Sequence, residues 1–129
     1  MSFSNTFETH VLNYVFTATS VTRPTAWYLA LFTSDPAEDA SGTEVSTSGT
    51  AYARQTVAFS VSGNLATNSA AVEFPTATGS GFGTVTHIGV YTASSGGDLI
   101  AYSALSASKA IAAGDVFRIP TGDLDITLD

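Results

Sequence analysis

From Trp27 onward the chain is cut by turn-forming clusters every 8–15 residues, and pieces that short favour strands over helices. The clusters are Asp35-Pro36, Ser62-Gly63-Asn64, Pro75 with the glycine-rich Thr76–Gly83, Ser94–Asp98, Ala113-Gly114-Asp115 and Pro120–Asp123. Between them apolar residues return with a period of two: Val57, Phe59, Val61, then Ala70, Val72, Phe74. Leu124, Ile126 and Leu128 alternate against Asp123, Asp125, Thr127 and Asp129, which ties the last residues into a sheet. Trp27–Phe32 is apolar at every position and reads as a strand buried on both faces. The strands expected are Trp27–Phe32, Ala53–Val61, Ala70–Phe74, Val85–Tyr91, Leu99–Ala104, Lys109–Ala112, Val116–Ile119 and Leu124–Leu128. About eight such strands predict a mainly β fold, an antiparallel β-sandwich of jelly-roll-like type.

The first residues follow another rule. Ser4 is a capping residue, and Phe7, Val11 and Val15 recur at i, i+4 and i+8, with Leu12 and Phe16 widening the stripe. Glu8 suits the positive end of the helix dipole. A short amphipathic helix is expected over Asn5–Phe16, capped at Ser4, and Pro24 forbids its continuation. At 129 residues the chain has the length of a single domain spanning 1–129, with residues 4–16 as its helical element.

Composition now excludes several functions. There is no cysteine, so disulfides, thiolate chemistry and Cys-based zinc sites are ruled out. Charged residues are 12%, against about 25% in ordinary domains, and 16 Ser and 19 Thr take their place. With a net charge of −7 and only Arg23, Arg54, Lys109 and Arg118 as cations, no basic patch for nucleic acid can form. Met1–Thr9 lacks the pattern of a secretory signal, and the longest apolar run, Ala26–Phe32, is far short of the ~20 residues of a membrane span. A soluble protein made in the cytoplasm, with no membrane partner, is the expectation.

Catalytic readings find little support. The histidines are His10, within the helical stripe, and His87, within a strand, and no Gly-x-Ser-x-Gly elbow occurs. Asp123 and Asp125 lie ~7 Å apart on one strand face, a spacing open to paired-carboxylate chemistry but common to any solvated strand. Asp35, Glu38, Asp39 and Glu44 enrich one loop of about 15 residues in acid, without the spacing of a calcium loop. A loop that long is either a contact element or mobile. Gly79-Ser80-Gly81-Phe82-Gly83 lacks the Lys-Ser/Thr of a phosphate cradle and precedes a strand, so it reads as a flexible connection. The aromatics, Trp27, Tyr28, Phe32, Tyr52, Phe82, Tyr91, Tyr102 and Phe117 among them, are needed for the core of a chain so rich in alanine. No cofactor, no metal and no catalytic residue is expected.

Several segments in order carry a family resemblance. They are His10-Val11-Leu12-Asn13-Tyr14-Val15-Phe16, Trp27–Pro36, Tyr52-Ala53-Arg54-Gln55, Phe74–Thr78, Gly83–Tyr91 and Gly114–Leu124. From Ser4 to Asp129 the chain resembles small tailed-bacteriophage virion proteins of the tail fibre or head fibre (capsid decoration) type. The resemblance implies a non-enzymatic virion structural protein, made in the host cytoplasm. The leading expectation is a decoration or cement protein that binds the major capsid protein as a homotrimer. The alternative is a tail fibre, tail-tip or adhesin component binding a host-surface receptor through the loops Asp35–Thr50 and Thr76–Gly83. Either way a homo-oligomer is expected, and the apolar helix stripe of Phe7, Val11, Leu12 and Val15 is the candidate oligomer or capsid interface.

Overall fold

A computed structural model describes residues 1–129. It is mainly β, with one N-terminal helix and ten strands in antiparallel sheets: β1 (Ser2–Phe3), α1 (Asn5–Phe16), β2 (Tyr28–Phe32), β3 (Gln55–Thr56), β4 (Phe59–Ser62), β5 (Leu65–Asn68), β6 (Val72–Glu73), β7 (Gly83–Tyr91), β8 (Leu99–Ile111), β9 (Arg118–Ile119) and β10 (Asp125–Thr127). A five-stranded sheet runs in the order β1-β8-β7-β2-β3, a three-stranded sheet β10-β5-β4, and β6 pairs with β9. The sheets do not close into a barrel.

The helix forms where local rules place it. The Ser4 hydroxyl accepts from the Phe7 N–H at 3.2 Å, while Ser4 itself is buried and donates to the Leu99 carbonyl at the start of β8. One residue thus caps the helix and fastens it to the large sheet. Thr17 ends it, its N–H and hydroxyl both turned back to the Asn13 carbonyl.

In β2 the alternation is two-sided, as its unbroken apolar run requires. Leu29 and Leu31 enter the main core, and Ala30 and Phe32 enter a smaller cluster with Tyr91 and Leu99 on the other face. All four are at most 1% exposed. Burial at about 25 cal/mol per Å2 of apolar surface makes this strand a main contributor to the core. The main core adds Val85, Val90 and Ile100 from the large sheet, facing Val57, Val72, Phe74, Phe117, Ile119 and Leu124.

Four expectations need correction. The segment Ala53–Val61 is two strands in different sheets: β3 pairs with β2, and β4 pairs with β5. Its period of two continues across the break, so alternation alone could not reveal the change of sheet. Leu65–Asn68 is a strand, formed because Gly63, at φ 61°, lets the chain reverse over Gly63-Asn64. Leu99–Ala104 and Lys109–Ala112 belong to one strand, β8, interrupted by a bulge where its register with β7 shifts between Val85 and His87. Finally, Ser2–Phe3 adds a short edge strand on β8. Ten strands therefore stand where about eight were expected.

Candidate interaction surfaces

β7 is nine residues long, so it separates two ends of the molecule by roughly 27 Å. At the Gly83 end, the two loops singled out in the sequence meet. The Thr78 N–H donates to the Thr50 carbonyl at 3.0 Å. Gly79 holds φ +58°, and a Cβ there would collide with the Gly49 carbonyl oxygen. Only glycine allows this approach. The Ala112–Asp115 turn joins the same end through Ala77 N–H to Asp115 O (2.9 Å) and Gly114 N–H to Ala77 O (2.8 Å). The result is an end built of Ser, Thr, Ala and Gly backbone.

The long loop after β2 is held down rather than loose. Glu44 bridges to Phe32, Val45 donates its N–H to Leu31 O, and Pro36, Val45, Thr50 and Tyr52 are buried. Its fixed point is a charged clasp. Arg54 meets the Glu44 carboxylate with Nε at 2.9 Å and Nη2 at 2.8 Å, and donates from Nη1 to the carbonyls of Ala93 and Gly96. Its guanidinium carbon lies 3.7 Å from the Tyr91 ring centre. Tyr52 donates to Glu44 at 2.7 Å and accepts from the Leu31 N–H at 3.0 Å. Burial, with the Glu44 carboxylate beside it, pushes the Tyr52 hydroxyl far above the ordinary tyrosine range. For Arg54 burial pulls downward, but the hydrogen bonds and charge of Glu44 outweigh it and hold the guanidinium above its usual value. The sequence patterning marks Arg54 only as one of four cations and as part of the Tyr52–Gln55 segment. The signal was present in its neighbours: an arginine two residues from Tyr52 with a glutamate in the loop before it.

The other acids and the histidines are scattered. Asp35 accepts from Ala37 N–H and Asp39 from Ser41 N–H, each shaping its own turn. Hydrogen bonds from Ser41 lower Asp39 below the usual carboxylate value. His87 bonds Thr86 Oγ1 through Nδ1 at 2.8 Å and stands 3.9 Å from Asp35. Asp123 and Asp125 are exposed, and no three of the His, Asp and Glu side chains gather as a metal site would need.

At the Tyr91 end the surface turns apolar. Phe7 stacks on Phe3 with ring centres 5.4 Å apart and packs on the main core. Val11 faces the returning segment Val21–Pro24, while Leu12 and Val15 stand in solvent with Tyr14 and Phe16. The stripe of Phe7, Val11, Leu12 and Val15 is thus divided between contacts within the chain and an open face. Beside the helix root, the five-stranded and three-stranded sheets part to leave a cleft of about 340 Å3 whose lining runs through Phe3, Trp27, Phe59, Val61, Ile126 and Leu128. Sequence reasoning had no view of this cleft, because its walls come from segments up to 125 residues apart, as Phe3 and Leu128 are.

A family model described as podophage GP4 fiber I protein gp80 matches residues 2–127. No curated protein matches the chain. With nearly its whole length accounted for in this way, the chain belongs to the podophage GP4 fiber I family, and it is a non-enzymatic structural component of a phage virion.

Proposed function

We propose that the protein is a fibre subunit that acts as one unit over residues 1–129. It self-associates at the end bearing α1, as a homotrimer, and turns its Ser46–Thr50 and Thr76–Gly83 loops toward a host-surface receptor. The observation that carries this reading is the polarity of the molecule: an open apolar face at one end, and two converging, rigidly hydrogen-bonded polar loops at the other. Binding residues are commonly displayed on loops held by a rigid scaffold, and apolar, uncharged surface marks the middle of protein contacts. Membership of a fibre family favours this reading over a capsid decoration protein that clamps the major capsid protein.

Counting copies per particle and measuring adsorption test it together. A handful of copies, with host adsorption lost when Thr47, Ser48 and Thr78 are replaced by lysine, is the expected result. Hundreds of copies, with adsorption untouched and heat resistance of the head lost on removal, would transfer the protein to the shell as a cement.

A further inference from the structure

We propose that the groove between Ser46–Thr47 and Ser94–Gly96 is a saccharide site, which takes a neutral sugar by two adjacent hydroxyls. This rests on the receptor reading above and gives that receptor its chemical class. The groove has a volume of about 450 Å3, within the ordinary range of small-ligand sites, and both Glu44 and Arg54 line it.

The clasp does not use all of its hydrogen-bonding positions. A carboxylate offers about four lone-pair positions and a guanidinium five N–H groups. Glu44 Oε1 accepts from the Tyr52 hydroxyl and from Arg54 Nε, whereas Oε2 accepts from Arg54 Nη2 alone. Arg54 Nη1 donates to the carbonyls of Ala93 and Gly96, which uses both its protons, while Nη2 uses one of two. One acceptor position on Oε2 and one proton on Nη2 are left over, on atoms 2.8 Å apart. In a parallel fork both point off the same edge of the ion pair. Tyr52 is buried and closes the Oε1 edge, and the Glu44 side chain keeps 27% exposure, so the Oε2 edge is the one that meets the groove. Neighbouring hydroxyls on a sugar ring stand about one hydrogen-bond length apart, so one can donate to Oε2 while the other accepts from Nη2.

Charge and wall chemistry select the same ligand. The cation in the groove is already matched by Glu44, so a molecule at −7 offers no net positive charge to an anion here. A protein partner needs aromatic or long aliphatic anchors, but Val45 and Tyr52 are buried and Ala53 brings only a methyl. The walls present instead the exposed hydroxyls of Thr47, Ser94 and Ser95, while Ser46 Oγ is taken by the Ser48 N–H at 3.2 Å. The turn that carries Ser94 and Ser95 is fixed in advance. Arg54 holds two of its carbonyls, and Thr92 and Asp98 close its base through Thr92 N–H to Asp98 O (3.1 Å) and Asp98 N–H to Thr92 Oγ1 (3.0 Å). Little ordering remains for the ligand to impose.

Isotopically labelled full-length chain is titrated with the methyl α-glycosides of glucose, galactose and mannose and followed by NMR. At least one should bind with a Kd of roughly a few millimolar, moving the amide signals of Thr47, Ser95 and Gly96 and the Nε–H of Arg54 together. The same glycoside with every hydroxyl methylated should move none of them. Thr47→Val and Ser95→Leu, at exposed sites on opposite walls, should each weaken binding about tenfold and leave the thermal melt unchanged. No shift with any of the three sugars, shifts confined to another surface, or undiminished binding by both variants overturns the proposal. On host cells, periodate cleaves the carbon–carbon bond between adjacent hydroxyls and should abolish phage adsorption, while protease should leave it intact. Loss after protease alone makes the receptor a protein and also overturns the proposal. The lysine replacements at Thr47, Ser48 and Thr78 separate this site from the receptor reading. Adsorption lost with no sugar shift sinks the saccharide site only, whereas adsorption untouched by them sinks the receptor reading and the site with it.

Discussion

Asn68 shows how much one side chain can hold. It is fully buried, and its amide makes four hydrogen bonds: Nδ2 to the carbonyls of Ala70 and Pro120, Oδ1 from the N–H groups of Gly122 and Leu124. All lone pairs and protons of the amide are used, and the tie spans 56 residues of sequence at its longest. Asn68→Ala removes all four bonds and leaves the Leu124 N–H, on a buried residue, and the Ala70 carbonyl without this partner, while Gly122 N–H keeps the Asn68 main-chain carbonyl and Pro120 O keeps Asp123 N–H, so a loss of ~1–3 kcal/mol is expected by urea unfolding. Arg54 is the second such residue. Arg54→Met leaves the Glu44 carboxylate and two carbonyls without their partner, and ~2–3 kcal/mol should go, less than for a fully buried pair because Glu44 keeps some water. Tyr52 sets an alkaline limit. Its folded-state pKa is raised, so its contribution is complete below the unfolded tyrosine value of ~10 and is lost as pH climbs above it. Stability should fall from about pH 10 upward, and Tyr52→Phe should flatten part of that fall, with Tyr91 accounting for more.

At the scale of elements, the meeting of two loops depends on one backbone position. Gly79→Ala places a methyl against the Gly49 carbonyl at positive φ, and the loops must part. A cost of ~2–3 kcal/mol, with faster amide exchange at Thr78 while β2 and β7 stay protected, is expected. Elements written by local rules were legible beforehand. The helix spans Asn5–Phe16 as its stripe and cap required, and β2 is buried on both faces as its unbroken apolar run required. What could not be read was decided by distant partners. The division of Ala53–Val61 follows from β2 claiming one half and β5 the other, and the bulge in β8 follows from its fit to β7. The contact of Gly49 with Gly79 and the opening of the cleft are likewise products of tertiary packing, invisible to periodicities of two or 3.6 residues.

As a whole, the molecule's surface changes along β7: the glycine-rich polar loop lies beyond its start and the apolar helix and cleft beyond its end, while Ser46 and Thr47 run back along the side to share a groove with Ser94–Gly96. That division also explains why the helix stripe, read from the sequence as one surface, is split in the fold. Phe7 serves the chain's own core, and Leu12 and Val15 stand exposed. The clasp beneath the long loop has a consequence for the particle outside a cell. The Arg54 side chain is 8% exposed and that of Glu44 27%, so dissolved ions reach the one close ion pair in the fold only from the Glu44 side and weaken it little. What they do reach is the mutual repulsion of a surface at −7. Moving from fresh water to brine should therefore raise the melting temperature slightly, and a fibre built from such subunits would travel between the two without loosening.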